Sequence, residues 1–144
     1  MFVRFVGEVE PRLRRALTAA YGSDRGREAT AEALAWAWEH RDRLTTMGNP
    51  VGYLYRVGQS RSRGRRSRFV IDRPTAEDPW VEPKLEAAVA SLPEKQRVTV
   101  LLVLGAGWTQ TEVADLLGVR HSTVQQHLGR GLAKLRRDLG GSEP

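Results

Sequence analysis

The sequence predicts an all-α protein of two small helical domains joined by a flexible linker. Three observations carry this expectation. Apolar residues recur at helical spacing through most of the 144 residues. A proline- and acid-rich stretch, FVIDRPTAEDPWVEP, interrupts that pattern from Phe69 to Pro83. Beyond it, TQTEVADLLGVRHSTVQQHL, Thr109 to Leu128, reads as two helices on a tight glycine turn. The expected units are a helical domain over residues 1–68, a linker over 69–83 and a second helical domain over 84–140.

Composition narrows the function. With 40% hydrophobic and 28% charged residues the chain reads as soluble and globular, and no apolar run reaches the roughly 20 residues of a membrane helix. Charges cut into the N-terminal MFVRFVGEVEPRLRR and no small-residue cleavage site follows, so no secretory signal is read and a cytoplasmic protein is expected. There is no cysteine, and His40, His121 and His127 lack ligand spacing, so neither a metal nor another cofactor is expected. No nucleophile, base and orienting group stand in a recognisable pattern, and an enzyme is not expected. The net charge of +6 and pI near 10.5 favour a polyanionic partner. Its distribution is uneven: residues 1–73 hold fifteen Arg against eight carboxylates (+7), and residues 74–144 hold eight Lys or Arg against nine (−1).

The elements follow in order. Phe2 to Tyr21 carries apolar residues at helical spacing, but Pro11 lacks an amide hydrogen and clashes with the preceding turn, so two short helical pieces are expected. Gly22-Ser23-Asp24 supplies a turn and a cap for a helix to about Leu44, with Ala29, Ala33, Leu34, Ala37 and Trp38 on one side. Trp36 and Trp38 are two apart and point in different directions. Trp38 is read as core, and Trp36 as partly buried against Leu13 or Leu17, with a partner contact or a base-stacking surface as the alternatives. Gly48-Asn49-Pro50 starts a helix that turns Tyr53, Leu54 and Val57 inward and runs into the acid-free RSRGRRSR, suited to phosphates. After the linker, KLEAAVASL and PEKQRVTVLLVLGAG read as helices, the second burying Val98, Val100, Leu101, Val103 and Leu104, with a strand as its local competitor.

In the glycine-turn segment, Thr109 and Glu112 fit a capping box. Val113, Ala114, Leu116 and Leu117 form an apolar face, and Gly118 stands where a left-handed residue ends the helix. Trp108 is expected to pack beside this helix. A last helix to about Leu139 turns Val124, Leu128, Leu132 and Leu135 inward, and Arg120 at its start is a poor cap, so Ser122 competes as the first residue. Its outward tip, His121, Ser122, Thr123, Gln125 and Gln126, offers donors and acceptors without a carboxylate, which suits base edges in the major groove. Arg130, Lys134, Arg136 and Arg137 suit phosphates. A plain αα-hairpin with a solvated polar face is the competing reading.

Taken together, the halves resemble a known family. SLPEKQRVTVLLVLGAGWTQTEVADLLGVRHSTVQQHLGRGLAKLRRDL resembles region four of the bacterial sigma-70 family. ALAWAWEHRDRL and NPVGYLYRVGQSRSRGRRSR resemble region two of its extracytoplasmic-function group. The resemblance implies a dissociable promoter-recognition subunit of RNA polymerase, with partners in promoter DNA, the clamp of the polymerase core and, in many such proteins, an anti-sigma factor. It implies a polymerase-facing set of Glu28, Glu32, Trp38, Asp42 and Arg43. A −10 set follows in Tyr53, Arg56, Gln59, Ser60, Arg61, Arg63, Arg65 and Arg66, and a −35 set in Arg120, His121, Ser122, Thr123, Gln125, Gln126 and Arg130.

The chain departs from the family's pattern at four points. Where members carry a glutamine three residues after an acid on the polymerase-binding helix, Glu28 is followed by Ala31. Ser60 and Gly64 replace an asparagine and an aspartate of the −10 helix, and His127 replaces a basic residue of the recognition helix. Two alternatives therefore stand beside the sigma-factor reading: a sigma-like DNA-binding regulator without productive polymerase engagement, and a protein-interaction adaptor built on the same helices.

Overall fold

The computed structural model describes residues 2–63, 69–71 and 83–140. Among them there is no strand: α1 (Phe2–Tyr21), α2 (Ser23–Glu39), α3 (Arg41–Leu44) and α4 (Pro50–Ser62) precede α5 (Pro83–Ala90), α6 (Glu94–Val100), a π-helical turn (Leu101–Gly105), α7 (Gln110–Leu117) and α8 (His121–Gly140). The all-α expectation holds. Most of the proposed linker, and Gly64, Arg65, Arg66 and Trp80, lie outside the described residues.

The break expected at Pro11 does not occur, and α1 runs through it. A proline inside a helix costs about 3 kcal/mol or more. Its consequences fall on an exposed stretch, because the carbonyl left without a partner belongs to Gly7. Burial of Val9, Leu13, Ala16, Leu17 and Ala20 along the rest of the helix offsets that cost; fully buried Leu or Val side chains are worth about 1.5–3 kcal/mol each.

The second helix also differs from its expectation. Gly22, not Ser23 or Asp24, is the cap, and the helix is interrupted at His40 before a separate turn of α3. There the His40 amide is shared between the Trp36 and Ala37 carbonyls, and the His40 Nδ1 approaches the Trp36 oxygen at 2.9 Å. The ring and the amide thus satisfy the helix end locally. As expected, α4 begins with the Asn49 side chain accepting from the Gly52 amide at 3.0 Å and Pro50 in the first turn. Leu54 is buried and Tyr53 and Val57 are half-buried; Tyr55, the largest fully buried side chain, was not anticipated.

The apolar run after Pro93 is helical, so the competing strand is not realised. It widens into a π-helical turn, closed by the Ala106 amide on the Leu101 carbonyl at 3.0 Å. That widening changes which residues face inward: Val98, Val100 and Leu102 are buried, Leu101 and Val103 are half-buried, and Leu104, expected in the core, is 60% exposed.

One apolar cluster runs through both halves of the chain, joining Leu13, Leu17, Leu54 and Tyr55 to Val98, Leu102, Trp108, Val113, Leu116 and Val124. A second, smaller cluster under α5 holds Val89, Leu92, Val100 and Leu135. Trp108 is buried as expected, and the Arg12 guanidinium lies over its ring at 4.2 Å.

Candidate nucleic-acid interface

The Thr109 capping box is complete. The Glu112 amide donates to the Thr109 hydroxyl at 3.1 Å, and the Thr109 amide donates to the Glu112 carboxylate at 2.9 Å. This bond and the Arg12 guanidinium, 2.8 Å away, hold the Glu112 carboxyl below its ordinary range. At the other end, Gly118 takes φ 66°, and the Val119 amide closes on the Ala114 carbonyl at 3.1 Å. The chain then re-enters a helix at His121, with the Thr123 and Val124 amides donating to the Arg120 carbonyl, so Arg120 is the residue before the first turn and the helix does not wait for Ser122. Val124 is fully buried, Leu135 is buried, and Leu128 and Leu132 are half-buried, which aims the opposite face of α8 at solvent.

Arg120, His121, Ser122, Gln125, Gln126 and Arg130 are all exposed, and Thr123 is half-exposed. The first turn of α8 contains no acid, so the positive end of the helix dipole is left for an external anion or acceptor. His127 lies differently. Its ring is half-buried, and burial together with nearby Lys95 and Arg130 pushes its pKa down. It is neutral at physiological pH and adds no cation to this face.

On the other half, Trp36, Tyr53, Arg56, Val57, Ser60 and Arg61 line a recess of about 380 Å³. Trp36 stacks on His40 with ring centroids 4.1 Å apart and meets Tyr53 at 5.2 Å. It is half-buried, as expected, against the apolar cluster that holds Leu13 and Leu17, and the turn at His40 adds an aromatic partner on its other side. Arg43 sits 5.8 Å over the Trp36 ring, on the side of this recess. Arg61 and Arg63 are exposed around α4's end, and Ser60 is exposed beside the recess. Gln59 is turned away: its Nε2 donates to Glu94 Oε2 of α6 at 2.9 Å.

Trp38, read as core, is instead 52% exposed. It meets Phe2 edge-on at 5.1 Å and carries the Arg41 guanidinium at 4.1 Å, so the ends of α1 and α2 form an aromatic surface patch. Trp38 directly follows the inward Ala37 and so turns off the buried stripe, where small residues, Gly26, Ala29, Ala33 and Ala37, face inward. Glu28 and Glu32 converge on Arg25, which donates to them at 2.9 and 3.1 Å and to Ser62 Oγ at 3.2 Å. Arg25 is 3% exposed. Sequence reasoning missed it, since nothing local marks one of the fifteen arginines in residues 1–73 as buried. Asp42 is exposed.

These features define a helix-turn-helix protein whose last helix presents an exposed, acid-free tip, with an aromatic and basic recess on its other half. Residues 83–135 match the family described as Sigma-70, region 4. Over nearly its full length the chain is similar to the sigma factor RpoE of Bartonella quintana, solved in complex with the anti-sigma factor NepR. The TM-score is 0.70 at 20% identity, covering 99% of this chain and 98% of that one. CnrH, solved in complex with the cytosolic domain of CnrY, matches with a TM-score of 0.62 at 20% identity, over 99% of this chain and 89% of that one. Residues 83–135 thus carry the match to sigma-70 region 4, and the chain as a whole has the fold of the extracytoplasmic-function sigma factors. Among the described residues no helix is long and apolar enough to cross a membrane.

Proposed function

We propose that the chain works as a sigma factor of the extracytoplasmic-function type in the bacterial cytoplasm, directing RNA polymerase to promoters by binding and not by catalysis. The observation that carries this is the exposed, acid-free tip of α8, presented after a capping box and a left-handed glycine. In this reading Gln125 and Gln126, with Ser122, Thr123 and His121, read base edges of the −35 element, and Arg120 and Arg130 hold its phosphates. Tyr53, Arg56, Gln59, Ser60, Arg61, Arg63, Arg65 and Arg66 serve the −10 element. The Trp36 and Tyr53 rings at the recess suit an unstacked base, as aromatic faces bind bases of any sequence. Glu28, Glu32, Trp38, Asp42 and Arg43 serve the polymerase clamp, and the patch of Trp38, Phe2 and Arg41 favours a protein partner there. The solved relative bound to an anti-sigma factor supports a partner of that kind for this chain too.

One observation favours the sigma-like regulator without polymerase engagement: Glu28 and Glu32 are both committed to Arg25 within the fold. Transcription from a promoter library by purified bacterial core polymerase, with and without this chain, separates the two. The sigma reading expects enrichment of templates sharing two spaced elements. Sequence-selective DNA binding without any promoter-dependent transcript assigns the regulator instead, and no sequence selection at all assigns the adaptor.

A further inference from the structure

A cleft of about 500 Å³ opens between α1 and the π-helical turn, and it shares no residue with the α8 tip, the α4 recess or the Trp38 patch. That volume falls within the roughly 300–1,000 Å³ of small-molecule sites. Its floor is apolar: Ala19 of α1, Leu101, Leu102 and Ala106 at the turn, and Ile71 supply side chains without a hydrogen-bonding group. Thr18 beneath them is 4% exposed, and its hydroxyl already donates to the Arg15 carbonyl at 3.2 Å.

The rim is different. Among the described residues no carboxylate lines the cleft, and its two charged groups are the consecutive Arg14 and Arg15. Arg14 Nε stands 3.0 Å from Glu10 Oε1, yet that buried nitrogen gains no hydrogen bond from it. Arg15 is exposed and makes no ion pair among the described residues. Across from the arginines, the five-residue closure of the Ala106 amide on the Leu101 carbonyl widens the wall, and π-helical turns cluster at functional sites. Gly105 in this turn lines the cleft. A Cβ there would meet no atom within 4 Å, and its φ is not positive, so neither packing nor backbone demands a glycine. What its missing side chain leaves is open space in the cleft.

We propose that this cleft binds a small anionic amphiphile, a carboxylate or sulfonate on a short aliphatic or aromatic body. Arg14 and Arg15 hold the anion at the rim, where the guanidinium fork matches its paired oxygens, and the apolar floor buries the body. A nucleotide or sugar phosphate fits less well, because the floor offers nothing to hydroxyls or base edges. The site rests on the cleft's own residues and is independent of the DNA-binding reading.

Octanoate is the probe, titrated into the full-length chain by calorimetry and followed by amide NMR. Acetate supplies the anion without the body, and 1-octanol the body without the anion. Octanoate is expected to saturate one site, shift the Gly105 and Ala106 amide signals and raise the thermal midpoint, with acetate and 1-octanol each weaker by about tenfold or more. Arg15→Ala should weaken octanoate about tenfold, the loss of one charge-assisted hydrogen bond. Gly105→Leu, which fills the cleft, should abolish binding. Unchanged far-UV circular dichroism checks both variants, and Arg15→Ala, at an exposed position, decides the matter where Gly105→Leu does not fold. Absence of saturable octanoate binding overturns the site. Binding that the folded variants retain in full places octanoate elsewhere and overturns it equally. Equal affinity for 1-octanol overturns the anionic class of ligand.

Discussion

Arg25 shows how much one side chain can decide. Its guanidinium is buried and reaches Glu28, Glu32, Ser62 and the Arg61 carbonyl, so it fastens the start of α2 to the end of α4. Arg25→Ala is expected to cost about 1–3 kcal/mol, the range for charge-assisted hydrogen bonds whose carboxylate partners can return to water, read as a lower urea midpoint. At the tip of α8, Gln125→Ala or Gln126→Ala should relax preference at one base pair by about 1–3 kcal/mol per lost bidentate contact. A selection experiment showing equal loss on all sequences removes that residue from base readout. Glu112 sets a pH dependence. Its folded-state pKa lies below its ordinary value, so its contribution is complete at neutral pH and is lost as pH falls through the lowered value. Glu112→Gln, which keeps the capping box, should flatten the acid limb of the unfolding midpoint against pH.

Among the elements, the glycine turn is the most exacting. Gly118→Ala places a Cβ in the left-handed region and against the Arg56 guanidinium, and should destabilise by roughly 1–2 kcal/mol. Thr109→Ala removes half of the capping box and should cost about 1 kcal/mol. Both are read by thermal or urea unfolding, and an unshifted midpoint for Gly118→Ala means the turn adopts another geometry. This element was legible in the sequence because its signals are local: a threonine and glutamate three apart, and a glycine after an apolar face. The course of α1 through Pro11 was not, because the offsetting burial comes from α2, and the π-helical turn after Val100 was not, because local spacing cannot distinguish four-residue from five-residue closure.

At the scale of the molecule, α1 and α2 approach so closely that a Cβ on Gly26 would stand 2.5 Å from the Thr18 Cα, a backbone atom that cannot swing aside. Gly26→Ala should therefore cost about 1–3 kcal/mol or more as overpacking, lowering the urea midpoint; an unchanged midpoint shows that the helices can part at little cost.

The sequence by itself determined the helical class, the starts of α4 and α7, the left-handed turn and the exposed polar tip of α8, because caps, glycines and periodicity act over a few residues. Tertiary structure decided what distant residues do to one another. It buried Arg25, left Trp38 on the surface and brought Trp36 onto His40 and Tyr53. It also joined both halves in one apolar cluster and turned Gln59 toward Glu94. Those outcomes depend on which surfaces meet after the helices form, and no spacing along the chain encodes that meeting.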